Sequence, residues 1–393
     1  EQAAALRACN FKGVYFTVDT KRYYPFKRFL TQVIGYTTID GIGQDGIEAA
    51  YDKYLAGTPG KLVYEKDSSG REIPYGSETY IEPIDGYNIA LTVDSVVQSS
   101  LERAVENALE VNGAKTAMGI VMNVNTGEVL GITTKPDFDL NDPPRSDYEE
   151  LQSLTRNRVV ADSYEPGSVF KIVTLASALN EGVVTEDSTF DCPGYKIVEG
   201  QRIKCWATDH GHQTLAEGVQ NSCNPVFMEL ALRLGNETFY EYLYAFGFGS
   251  STNSGMSGES SGILRDIQYV QSFDLARIGF GQSVAVTAIQ MASAASAAVN
   301  GGELMQPYIV KEIYTDDGEI ITKNEPTVIR RVISEEVSAT VREMLVGVVE
   351  EGSGKNAAVP GYAIGGKTGT SQKYEDGAIA QGKYISSFLA FAP

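Results

Sequence analysis

Tyr164-Glu165-Pro166-Gly167-Ser168-Val169-Phe170-Lys171 is the segment around which the rest of the chain is organised. It holds the sole Ser-x-x-Lys of the 393 residues, and a tetrad of that kind is a weak signal by itself. Its setting strengthens it. Pro166-Gly167 stands just before Ser168, so the serine falls at a helix start, where free backbone N–H groups and the dipole favour negative charge. The i, i+3 spacing puts Ser168 and Lys171 on one helical face, near enough to share a proton. A lysine with an ordinary pKa of about 10.4 is a poor base at neutral pH. Burial and neighbouring cations are what would lower it.

Two further short motifs follow in order. Ser222-Cys223-Asn224 ends a segment that opens with Thr214-Leu215-Ala216-Glu217. Ser251-Thr252-Asn253 has the same pattern but lies in a Gly/Ser-rich run, Gly247–Gly262, that reads as a surface loop. Lys367-Thr368-Gly369-Thr370 comes after Ile364-Gly365-Gly366. A lysine on a strand edge flanked by glycine lets the backbone approach a bound carboxylate closely.

Outward from these motifs, Ile89–Val93 reads as a strand and Ser95–Val111 as an amphipathic helix with Val97, Leu101, Val105 and Leu109 on one stripe. Met118–Met122 and Glu128–Thr133 flank Asn125-Thr126-Gly127 as a hairpin. Residues 135–148 are loop, Val169–Asn180 and Glu335–Glu350 are helices, and Tyr384–Phe391 is a strand. Residues 1–86 carry short strand-like pieces, Gly13–Val18 and Lys61–Lys66, with a turn at Lys66-Asp67-Ser68-Ser69-Gly70 and a helix already under way at Glu1. Nothing there resembles a catalytic cluster. Helices and antiparallel strands alternate in blocks, which makes the fold class α+β and opposes a parallel doubly wound sheet.

Composition narrows the function. With 42% hydrophobic and 21% charged residues the chain is an ordinary globular protein, and 32 Lys+Arg against 51 Asp+Glu leave a formal charge of -19. Nucleic-acid affinity rests on cationic side chains displacing phosphate counterions, so that class is disfavoured. The uncharged stretch Gly279–Gly302 is interrupted by Gln282, Ser283, Thr287, Gln290, Ser293, Ser296 and Asn300, and reads as an Ala-rich helix behind a Gly-rich turn rather than a membrane span. With no H-E-x-x-H, metalloprotease chemistry is excluded. Gly258-Glu259-Ser260-Ser261-Gly262 matches a nucleophile elbow, but no apolar strand precedes it and no helix follows.

In this order, the three motifs resemble those of the penicillin-recognising serine acyl-transferases. Tyr164-Glu165-Pro166-Gly167-Ser168, Asn125-Thr126-Gly127-Glu128-Val129-Leu130, Arg22-Tyr23-Tyr24-Pro25 and Gly279-Phe280-Gly281-Gln282 look like class B penicillin-binding proteins, most of all the Gram-positive division, elongation or sporulation type. The resemblance implies residues 1–86 as an N-terminal pedestal, dimerisation-like domain, and 87–393 as an antiparallel sheet flanked by helices. It implies a peptidoglycan D,D-transpeptidase that is acylated by β-lactams. Ser168 would be the nucleophile and Lys171 its base, with Ser222 and Lys367 relaying a proton to the leaving amine. Asn224 would hold the substrate amide, Thr368 and Thr370 the terminal carboxylate beside Gly369, and the Ser168 and Thr370 N–H groups the oxyanion. It also implies stem peptides as substrate, no cofactor for the chemistry, a membrane glycosyltransferase partner, and a single N-terminal anchor on the outer face of the cell membrane. Family members carry additional sequence between Asn10 and Phe11 and continue beyond Pro393 with another strand and a long helix. The alternatives are a D,D-carboxypeptidase, a β-lactamase or β-lactam sensor, and a non-catalytic wall scaffold.

A second cluster stands beside the second motif. Of four Cys and two His, three Cys and both His lie between Cys192 and Cys223. Glu199-Gly200-Gln201 reads as a hairpin tip that brings Cys192 and Cys205 opposite each other. With Cys223 and one of His210 or His212 they make a Cys₃His set suited to a structural Zn²⁺, in which Asp209 is a substitute ligand. A Cys192–Cys205 disulfide, or free thiols, are the alternatives.

Overall fold

The structure is a computed structural model that describes the chain apart from residues 1, 17–19, 68–72, 74–77, 376, 377 and 393. It divides into two compact units. One comprises residues 1–87 with 137–155, the other residues 88–136 with 156–393. The Pro-containing segment that reads as plain loop in sequence is therefore shared out, its later part belonging to the first unit.

In that first unit a small core of Tyr24, Phe138, Leu140 and Leu151 is flanked by Ile34, Tyr36 and Leu154. Buried Glu48 organises its edge. Arg22 grips the carboxylate with two nitrogens, at 2.8 and 2.9 Å, and the Tyr24 hydroxyl donates to it at 3.2 Å. Such a two-pronged Arg–carboxylate contact fixes geometry as well as charge. Asn141 ties the later segment to Tyr24 by accepting from its N–H at 3.0 Å and donating to its carbonyl at 2.8 Å. The strands Lys61–Tyr64 and Glu78–Ile81 pair antiparallel with every residue exposed. Gln2–Ala8 is a helix, residues 11–16 hold turn and irregular backbone instead of the expected strand, and the turn expected at residues 68–70 lies outside the described residues.

The second unit holds the large core. Asn88–Leu91, Val310–Tyr314 and Ile320–Lys323 form a three-stranded antiparallel sheet. Ser95–Val111, N-capped by Asp94, lies against the Ala117–Met122/Val129–Lys135 hairpin. Gln98 on this helix is wholly buried because its amide accepts from the Ile132 N–H at 2.7 Å and donates to the Ile132 carbonyl at 2.9 Å. A buried polar side chain is tolerated on those terms. Lys171–Asn180 runs through the centre with all but its last two residues buried, packed among Asn224–Leu234, Ala288–Val299 and Glu335–Glu350. Gly365–Glu375 and Ala378–Phe391 form a long antiparallel pair in which Lys367 faces Leu389. The Gly/Ser loop is no floppy tether. Glu259 accepts from the Ser251 and Thr252 hydroxyls, the Asn253 and Ser254 N–H groups and the Ser254 hydroxyl.

Candidate active site

Each of the three motifs is delivered by a different element. Gly167–Phe170 is a 3₁₀ turn, and the α-helix begins only at Lys171. With three residues per turn, positions i and i+3 of a 3₁₀ segment eclipse one another. Ser168 and Lys171 thus share a face more directly than the expected α-helix would give. Helix Leu215–Gln220 is started by a capping box in which Thr214 Oγ accepts from the Glu217 N–H at 3.2 Å and Glu217 accepts from the Thr214 N–H at 2.8 Å. It stops at Ser222, whose φ of +51° turns the chain into helix Asn224–Leu234. The strand Gly365–Glu375 supplies Lys367.

Two lysines converge on Ser222. Lys171 Nζ donates to the Ser222 carbonyl at 2.8 Å, to Ser222 Oγ at 3.2 Å and to Asn224 Oδ1 at 2.7 Å. Lys367 Nζ donates to the same Oγ at 2.8 Å and to the Thr368 carbonyl at 3.2 Å. Both side chains are buried, at 1% and 0% exposure, a rare state for an uncompensated ammonium. Burial, reinforced by the charge of Lys367, pushes Lys171 well below its ordinary range. Burial alone brings Lys367 down to about 7. An ammonium has three donors and no acceptor, and the three partners of Lys171 use all of them. Only the neutral amine, which burial favours, has a lone pair to take a proton from a neighbouring hydroxyl.

Thr368 and Thr370 lie on the same strand, the former half-buried and the latter exposed. Gly369 is there for close packing: a Cβ at this position would come 2.6 Å from Ser387 Oγ and 3.0 Å from the Pro166 carbonyl. Two neighbours escaped the sequence reading. Trp206 Nε1 donates to the Asn221 and Ser222 carbonyls at 3.0 and 3.2 Å, and Ser353 Oγ accepts from Thr368 Oγ1 at 3.4 Å. Trp206 is the single Trp and directly follows Cys205, which is the one signal that could have found it. Ser353 sits in a Gly-flanked turn with none.

Cys223, the residue after Ser222, belongs to a cysteine–histidine cluster. Ligand atoms of Cys192, Cys205, His210 and Cys223 all lie within 4.8 Å of one another. His210 Nδ1 is 3.5 Å from Cys192 Sγ and 3.7 Å from Cys205 Sγ. A tetrahedron with Zn–S of about 2.3 Å and Zn–N of about 2.0 Å has edges of roughly 3.5–3.8 Å, so the donor set and spacing fit that ion. All four cysteines of the chain are free thiols. The Cys223 thiol donates to Cys205, which draws Cys205 down to about 5 and raises Cys223. Of the two histidines, His210 is the one in the cluster. On strand Gly211–Thr214 side chains alternate, so Gln213 points inward to donate to Cys223 Sγ at 3.1 Å while His212 faces out and meets Asp191 at 3.0 Å. Asp209 is not part of the four-residue cluster either. Cys192 and Cys205 do not face each other across one hairpin: Cys192 pairs with Gly211, whereas the Cys205 N–H donates to the Gly194 carbonyl at 2.8 Å.

A serine at a helix start, a buried lysine one turn on and a second buried lysine from a separate strand make up the arrangement of serine–lysine acyl-transferases as a class. Residues 117–393 match the penicillin binding protein transpeptidase domain and residues 1–91 the penicillin-binding protein dimerisation domain. The chain therefore belongs to the penicillin-binding protein transpeptidase family. Over its whole length it is 44% identical to stage V sporulation protein D of Bacillus subtilis, covering 61% of that protein. It is 32% identical to the peptidoglycan D,D-transpeptidase FtsI of Escherichia coli, covering all of this chain and 63% of that one. Thus it spans about three fifths of the length of these relatives. The solved structure of penicillin binding protein 3 from Mycobacterium tuberculosis superposes with a TM-score of 0.83 at 29% identity, over 95% of this chain and 81% of that one. The same protein has been solved in complex with ampicillin and with aztreonam.

Proposed function

We propose that the chain is the catalytic part of a peptidoglycan D,D-transpeptidase. The observation that carries this reading is the pair of buried lysines sharing Ser222 Oγ beside the Ser168 turn. Neutral Lys171 takes the Ser168 proton as the oxygen attacks the carbonyl between the last two D-Ala residues of a stem peptide. The Ser168 and Thr370 N–H groups hold the oxyanion, a donor of that type being worth about 3 kcal/mol. Lys367 and Ser222 pass a proton to the departing amine, and D-Ala leaves. Asn224 holds the substrate amide, while Thr368 and Thr370 take the terminal carboxylate alongside Gly369. An amine from a second strand then resolves the ester and closes a cross-link. β-Lactams mimic the dipeptide and stay on Ser168.

The test is incubation of the full-length protein with a stem pentapeptide, with and without an acceptor amine. Release of D-Ala with a cross-linked dimer supports transpeptidation. Release without dimer would favour a carboxypeptidase, and no release from folded protein would favour a wall scaffold. We further propose a position on the outer face of the cell membrane, where a peptidoglycan substrate would be met, working with a membrane glycosyltransferase, which co-purification of the full-length protein would test. No described helix is long and apolar enough to cross a membrane.

The cysteine–histidine cluster is read as a structural Zn²⁺ site formed by Cys192, Cys205, His210 and Cys223. The ion would pin the 192–210 hairpins to the loop that carries Ser222. Elemental analysis giving one zinc per chain supports it, and zinc-free protein whose melting ignores a chelator would exclude it.

A further inference from the structure

The turn that carries Ser168 is gripped by the segment 281–286. Tyr164 and Val286 exchange N–H···O bonds at 3.0 and 2.9 Å, and the Gly167 N–H donates to the Gly281 carbonyl at 2.9 Å. The approach is so close that a Cβ on Gly281 would sit 2.1 Å from the Gly167 carbonyl oxygen. Among the described residues one side chain bridges these two segments. Glu165 Oε1 accepts from the Ser283 N–H at 2.8 Å. Ser283 holds φ of +60°, a left-handed conformation that a residue with a Cβ adopts only where its surroundings over-determine it. Pro166 restricts Glu165 to extended backbone, which keeps its side chain on the bridge.

We propose that Glu165 is the positioning residue for the nucleophile, its carboxylate oxygen clamping the Ser283 N–H so that the Ser168 turn keeps its place. The proposal rests on Ser168 being the nucleophile. The attacking Oγ and the Ser168 N–H of the oxyanion hole belong to the same turn, and an error of about 1 Å in such a group costs about 10²-fold in rate. Burial raises the Glu165 carboxyl, offset by the Ser283 N–H and by nearby Arg277, whose guanidinium donates to Gln282 at 3.4 Å. What the clamp requires is an acceptor at the right reach, not a charge. Gln keeps the acceptor and loses the charge, and Asp keeps the charge but is one methylene too short.

Acylation of the full-length protein by a fluorescent penicillin, resolved into the pre-acylation binding constant and the acylation rate, tests this. Glu165→Ala and Glu165→Asp are expected to slow acylation at least tenfold with binding changed less than threefold. Glu165→Gln is expected to stay within threefold of wild type in both. Unchanged acylation in Glu165→Asp, or a Glu165→Gln variant as slow as it, would overturn the clamp, as would a loss confined to binding. If Glu165→Ala fails to fold, the Gln and Asp pair decides alone. Wild-type protein that forms no adduct, or an adduct that persists in Ser168→Ala, would instead remove the Ser168 reading beneath it.

Discussion

The lysine–serine site and the cysteine–histidine cluster meet at one tripeptide, Ser222-Cys223-Asn224, and are built on opposite principles. In the first, polar partners are already in place: Lys171 Nζ lies within hydrogen-bond reach of the Ser222 carbonyl, Ser222 Oγ and Asn224 Oδ1, and Lys367 holds the same hydroxyl. Its cost is desolvation of two cations, which burial answers by lowering both pKa values. In the second, three thiols and an imidazole crowd within 4.8 Å, an arrangement that a metal ion would complete. A preorganised polar site tolerates little change of chemistry, whereas a ligand cluster transmits its losses as stability. Substitutions on the two sides should therefore read out differently, one in rate and the other in melting temperature.

The largest separation is expected at Lys171. Replacing it by Met keeps the volume and removes the base, so penicillin acylation should fall by about 10²–10⁴-fold with the Tm held or raised, since a desolvated amine is lost. Stopped-flow acylation with parallel melting checks both. Next comes pH. Proton removal by Lys171 requires the neutral amine, so activity should rise with pH through its lowered pKa. Proton donation by Lys367 requires the cation, so activity should fall as pH rises through about 7. The acylation profile should thus be bell-shaped with an alkaline limb near neutrality, a limb that Lys367→Arg should move upward. A profile that keeps rising to pH 10 would separate Lys367 from the proton path.

On the cluster side, Cys192→Ser or a strong chelator should lower the Tm by several degrees or more, because structural zinc binding is folding free energy. Acylation by the surviving folded fraction should change less than in Lys171→Met. The smallest effect is expected at His212. Its exposed pairing with Asp191 predicts a Tm within ~2 °C of wild type for His212→Ala, while His210→Ala should behave like Cys192→Ser. Equal losses at the two histidines would break the assignment of the ligand set.

The residues of the first site are marked in the sequence by motifs, and those of the second only by composition, for a physical reason. Lys171, Ser222, Asn224 and Lys367 stand in short motifs that name them in the sequence, whereas their meeting is long-range, Lys171 reaching Ser222 and Asn224 across about fifty residues and Lys367 reaching Ser222 from a separate strand. Helices such as Ser95–Val111 and Glu335–Glu350 were legible from the periodicity of their apolar residues. The cluster depends on strand register. Whether His212 or Gln213 faces Cys223 turns on a one-residue phase, which composition does not encode. The share of 137–155 that joins the first unit depends on long-range partners, as in the Asn141–Tyr24 pair, and Pro-rich segments carry no periodicity to announce them. Gln98 was invisible for the same cause: its burial rests on Ile132, which lies on the hairpin 34 residues along the chain.

The most direct test of the central claim, a Ser168 nucleophile served by buried Lys171, is intact-mass spectrometry of the full-length protein after incubation with a penicillin, followed by peptide mapping. The expected result is one added drug molecule, located on Ser168, absent from Ser168→Ala and formed far more slowly by Lys171→Met. Folded protein that takes up no drug, or that carries its adduct on another residue, would contradict it.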